Sequence, residues 1–132
     1  MMRRLAAAIL LTMAFAWPAE AAGYRSTNWA HFWPPEPYLS QAIAAIEAGD
    51  IHWMWAEQST IDAMASYGAL GITFETNGHP FTFISLDNSP QSACRVLIHE
   101  AAHQLGWAAD HTGGGWGPQR GCPLPEEFWP QR

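Results

Sequence analysis

Two histidines four residues apart, His99 and His103, enclose a glutamate, Glu100, that directly follows the first of them. On a helix, positions i and i+4 lie one turn apart on the same side. Both imidazoles can then grip a single ion with little backbone adjustment. Neutral imidazole is among the preferred ligands of zinc, which takes four in a tetrahedron. Zinc lowers the pKa of a water in an open coordination position to near neutrality. A carboxylate beside the first ligand can accept that water's proton and pass it to a leaving amine. The metal steadies the developing oxyanion. The residues therefore predict a zinc centre that hydrolyses peptide bonds, with Glu100 as general base and acid. The pattern H-E-x-x-H fixes only three positions, and two ordinary helix histidines would also produce it, so the surroundings matter.

Those surroundings predict a helix. Ser89 is a good N-cap, Pro90 fits the first helical position, and Gly106 fits the residue just past the end. Cys94, Leu97, Ile98, Ala101 and Leu105 form one apolar face, with His99 and His103 on a neighbouring one. Upstream, Leu39 to Ala48 reads as a helix with Ile43, Ala44, Ile46 and Ala48 on its apolar side, ended by Gly49. Ile51 to Trp55 alternates as a strand, with Ile51, Trp53 and Trp55 on one face. A short helix starts at Ser59, carries Ile61, Met64, Ala65 and Tyr67, and stops at Gly68. Ile72 to Glu75 and Phe81 to Leu86 read as strands joined through Asn77-Gly78, a strong hairpin signal. Pro80 at the start of the second suits an edge strand. Residues 22 to 38 are rich in Trp, Phe and Pro and predict an extended segment packed by its aromatics. Past Gly106 the chain reads as coil, and Gly113 to Gly115 as a flexible loop beside the site.

His99, Glu100, His103 and Gly106 resemble the zincin metallopeptidases, and within them the metzincin-like group that includes small snapalysin-type secreted peptidases. The resemblance covers roughly Leu39 to His111. It implies a small α+β zincin-like domain, a mixed twisted sheet with an active-site helix carrying the motif. It also implies a zinc metalloendopeptidase acting on peptide or protein substrates. In the family an upper edge strand binds the substrate backbone by strand addition, and the resemblance puts that role on Phe81 to Leu86. The chain departs from the pattern in three places. Trp107, Ala108 and Ala109 separate Gly106 from Asp110, where the family has two residues. The third ligand is therefore open, with His111 first, then Asp110, then Glu126 or Glu127, and lastly His52 or His79. No methionine follows the zinc helix, so the metzincin methionine turn is missing. Only about 20 residues follow His111, so the lower cleft wall is minimal.

The whole chain narrows the setting. Of 132 residues, the first 21 carry Arg3 and Arg4, an apolar run from Leu5 to Trp17, and Ala19-Glu20-Ala21. That predicts a secretory signal with residues 22–132 as one small domain, exported to the periplasm or medium. The apolar run is too short for a membrane anchor. Cys94 and Cys122 then read as one disulfide, pinning the tail to the zinc helix. A net charge of −6 over the whole chain, with the arginines past residue 21 scattered at positions 25, 95, 120 and 132, argues against nucleic acid and anionic membranes. A monomer is expected. Eight tryptophans keep two other classes open: a zinc-stabilised module without turnover, and a Trp-rich cell-wall or carbohydrate-binding domain. Trp53 and Trp55 read as core. Trp107 and Trp116 either line a substrate cleft or cover the metal.

Overall fold

The computed structural model describes residues 32–65, 68–117 and 121–132. The expected leader at 1–21 and the aromatic residues up to 31 lie outside the described residues. In chain order the elements are β1 (Phe32–Trp33), α1 (Tyr38–Glu47), β2 (Trp53–Ala56), α2 (Gln58–Met64), β3 (Gly71–Thr76), β4 (His79–Ser85), α3 (Pro90–Gln104) and β5 (Gly115–Trp116). A 3₁₀ turn at Glu126–Phe128 closes the chain. The class is mixed α+β.

Asn77 and Gly78 both take positive φ, 55° and 81°. That is the backbone a two-residue hairpin needs to match strand twist. The turn sets β3 against β4 antiparallel, with Thr76 opposite His79 and Thr73 opposite Thr82. β2 joins the other side of β4 in parallel, from Trp53 opposite Thr82 to Ala56 opposite Ser85. The order is thus β2-β4-β3, and β4 is the central strand. This corrects the edge position expected of Phe81 to Leu86. Alternate β4 residues give their N–H to the β2 side, as Thr82 does to His52 at 3.0 Å. Pro80 would be next in that series, but it lies one step before the overlap with β2 begins. Its missing donor therefore disrupts no pairing.

Helix α3 runs through the centre of the molecule, and every residue from Ala93 to His103 is buried. The Ser89 hydroxyl caps it by accepting from the Ser92 N–H at 3.2 Å. It stops in a Schellman turn, where Gly106 N–H donates to His103 O and Trp107 N–H to Ala102 O, with Gly106 at φ 110°. Between α1 and the sheet it buries Leu97, Ile98 and Ala101 together with Ala42, Ile46 and Ile84. The α1 face differs from the expected one: Ala42 and Ile46 are buried while Ala44 and Ala48 are exposed. A second cluster of Ile61, Ala69, Ile72 and Phe74 fills the opposite sheet face, with Met64 of α2 packed on it.

The tail is well anchored. Cys94 and Cys122 form the disulfide. Leu124 enters the main core, the Trp55 indole donates to Gln131 O at 2.9 Å, and Arg132 sits 5.0 Å over the Trp55 ring. Part of the glycine run is strand: β5 pairs with β1, Trp33 opposite Gly115 and Phe32 opposite Trp116. No helix among the described residues is long and apolar enough to cross a membrane.

Candidate metal centre

Three histidines converge: His99 and His103 from α3, and His111 from the loop after it. His111 Nε2 lies 3.0 Å from His99 Nε2 and 3.1 Å from His103 Nε2. The far nitrogens of the two helix histidines are tied to carbonyls. His99 Nδ1 meets Phe32 O at 3.0 Å and His103 Nδ1 meets Trp107 O at 2.9 Å. A carbonyl only accepts, so each Nδ1 carries the proton and donates. Each Nε2 is then a bare lone pair aimed at the shared point. This is the tautomer and outer-shell arrangement that metal-ligating histidines use.

The protonation states agree. Burial pushes His99 and His111 down to about 4. It pushes His103 well below its ordinary value, with the charge of His99 adding to the effect. All three are therefore neutral at pH 7, as ligands must be. A tetrahedral ion about 2.0–2.1 Å from each nitrogen would hold them about 3.3 Å apart, close to the separations present. The three residues are placed closely enough to hold a metal ion.

How His111 arrives explains the residue by which the spacing differs. After the Schellman turn, His111 N–H closes a tight turn on Ala108 O at 2.9 Å. His111 itself takes φ 62°, a left-handed conformation uncommon for a side chain with a Cβ. The turn absorbs the additional residue and directs the ring back at α3. The other contenders are elsewhere. Asp110 is exposed and spends its carboxylate on Thr112 N–H at 3.0 Å and on the Thr112 hydroxyl, which hold its pKa below the usual value. Glu126, Glu127, His52 and His79 are exposed and outside the cluster.

No protein-family model, curated protein or solved structure matches this chain.

An apolar wall surrounds the ligands. Trp107 is 3% exposed, stacks on His103 with centroids 4.7 Å apart, and meets His111 edge-on. Its indole donates to Thr112 O at 2.9 Å. Phe32 adds an edge contact to His111. Of the two open possibilities for the tryptophans, Trp107 covers the three histidines, while Trp116 is 58% exposed on Phe32. A Cβ on Gly114 would fall 2.6 Å from Trp107 Cζ2 and 2.7 Å from Phe32 Cε2, so only glycine lets the backbone pass this wall.

Glu100 faces the sheet. It is 3% exposed, and burial lifts its carboxyl to about 7, against the pull of a hydrogen bond from Thr73. Thr73 Oγ1 donates to Oε1 at 2.7 Å. Oε2 has no hydrogen-bond partner among the described residues. Sequence reasoning missed Thr73, Thr82, Gln104 and the Phe32 carbonyl. The first two were accessible: a two-residue turn at Asn77-Gly78 places Thr73 directly opposite Thr82.

Proposed function

We propose that this chain is a zinc-dependent peptidase of the zincin type, exported and acting on peptide or protein substrates. The main support is the convergence of three buried, neutral imidazoles beside a buried carboxylate on the same helix. His99, His103 and His111 would hold the ion; an all-histidine, tetrahedral donor set suits zinc. When bound, zinc supplies an activated water and a Lewis acid for a carbonyl oxygen.

The chain's own groups do the remainder. Glu100 takes a proton at Oε2 and returns it to the leaving amine; a pKa near 7 suits a group that must do both. The carbonyls of Phe32 and Trp107 hold the ligand rings in register. Trp107 and Phe32 exclude water from the back of the centre. With β4 central, strand addition of an extended substrate falls to β3. Pro80 has no N–H, so Glu75 and Pro80 form a non-hydrogen-bonded pair. The alternation then turns the N–H and C=O of Gly71, Thr73 and Glu75 away from β4, on the side of β3 that carries no strand among the described residues. The disulfide is consistent with an oxidising compartment.

Zinc content after dialysis and hydrolysis of casein or a peptide library test this directly. Wild type should hold one zinc per chain and show chelator-sensitive turnover that Glu100→Gln abolishes. A wild type as metal-free as a His99→Ala, His103→Ala double variant would refute the metal centre. Bound zinc without turnover would leave a zinc-stabilised module instead.

A further inference from the structure

Four buried or half-buried side chains join the sheet to the metal helix in a single line. Gln104 Nε2 donates to Thr82 Oγ1 at 2.9 Å. Thr82 Oγ1 lies 2.8 Å from Thr73 Oγ1, and Thr73 Oγ1 donates to Glu100 Oε1 at 2.7 Å. The direction of this line is set at its two ends, because ionised Glu100 only accepts and Gln104 donates. Gln104 Nε2 also donates to the His52 carbonyl at 2.9 Å. A carbonyl only accepts, so the nitrogen side of the amide faces both partners. Thr82 must therefore accept from Gln104. Its own proton has Thr73 within reach, and the Thr73 proton then goes to Glu100, whose Oε1 at 2.7 Å is nearer than its backbone O at 3.2 Å.

We propose that Thr73, Thr82 and Gln104 are positioning residues for Glu100, a one-way hydrogen-bond chain that engages Oε1 and leaves Oε2 as the oxygen offered to the reacting water. This role rests on the peptidase reading; the chain itself does not. The geometry explains several choices at once. Thr73 and Thr82 are a directly opposed cross-strand pair on the face toward α3. Thr82 is fully buried and Thr73 is 4% exposed, positions where an apolar residue would otherwise fill the core. Glu100 and Gln104 lie one helical turn apart, so the line leaves α3, crosses both strands and returns to it. Gly71 keeps the strand close: a Cβ there would lie 2.6 Å from Val96 Cγ1 and 3.4 Å from Glu100 Cγ.

Two measurements on the protein as purified decide it. The first is the nitrogen–proton correlation signal of the Gln104 side-chain amide. Glu100→Gln should shift it, and that response should largely vanish in a Thr73→Val or a Thr82→Val background; either variant suffices if the other does not fold. An equal response with and without the hydroxyls would overturn the chain. The second is steady-state kinetics. Thr73→Val should lower kcat roughly 10- to 100-fold, the size expected for one hydrogen bond to a charged group. KM and zinc content should stay within about twofold, and Thr73→Ser should restore kcat to within about threefold of wild type. Wild-type kcat in Thr73→Val would overturn the positioning role. A wild type with no turnover for Glu100→Gln to remove would refute the peptidase reading instead, and the amide signal would still decide the chain.

Discussion

Glu100→Gln should stabilise the metal-free protein, increasingly so as the pH rises. Burial lifts the Glu100 carboxyl from 4.5 to about 7. The unfolded chain releases this proton at the lower value and the folded chain at the higher one. Between them the folded state holds more protons than the unfolded state, so wild-type stability falls with rising pH. The effect is absent below the unfolded value, reaches about 1 kcal/mol near pH 5 and levels off at about 3 kcal/mol near pH 8. Glutamine keeps the shape and an acceptor for Thr73, but never ionises. The histidines act in the opposite sense. His99 and His111 titrate at about 4 when folded against 6.5 when unfolded, so they cost stability as pH falls below the unfolded value. That cost is common to both proteins and cancels in their difference. The assay is urea unfolding of chelator-treated wild type and Glu100→Gln across this range. The gap between them should widen by about 2 kcal/mol from pH 5 to pH 8. A gap independent of pH would mean that Glu100 is solvated in the folded protein and would refute the buried geometry.

Three further outcomes follow from named contacts. His111→Ala should weaken zinc binding, measured by competition with a chromophoric chelator, by more than roughly 100-fold, beyond the usual loss for an outer-shell partner; Asp110→Ala should change it by less than about threefold. Gly114→Ala should cost about 1–3 kcal/mol in urea unfolding, because the added methyl meets Trp107, Phe32 and the Trp33 carbonyl together. Replacing Cys94 and Cys122 together by serine should cost about 3 kcal/mol, since the bond closes a loop spanning 28 positions; an unchanged melting midpoint would show that the tail is held by Leu124 and Trp55 alone.

Local rules carried much of this architecture. Ser89, Pro90 and Gly106 marked the ends of α3 to the residue, because caps act through backbone groups within one turn. Asn77-Gly78 set the hairpin and, with it, the facing of Thr73 and Thr82. His99 and His103 shared a side of the helix by period alone, and Glu100 was fixed beside the first histidine by its place in the sequence. The two cysteines paired because each was the other's sole partner in sequence.

Three-dimensional packing decided what no local pattern contains. The place of β4 depended on β2, a strand of four residues whose parallel pairing is set by tertiary contacts and not by a turn. Pro80 pointed the other way because a missing N–H counts only if a strand lies opposite it. The third histidine depended on a left-handed residue and a tight turn at Ala108–His111, choices settled by Trp107 locking into the core. The burial that makes three histidines neutral and lifts one carboxyl to about 7 is a property of the assembled layers. In the chain alone His99, His103, His111 and Glu100 are ordinary titrating groups. Once α3 is enclosed between α1 and the sheet, desolvation changes their charge states, and with them what the site can bind.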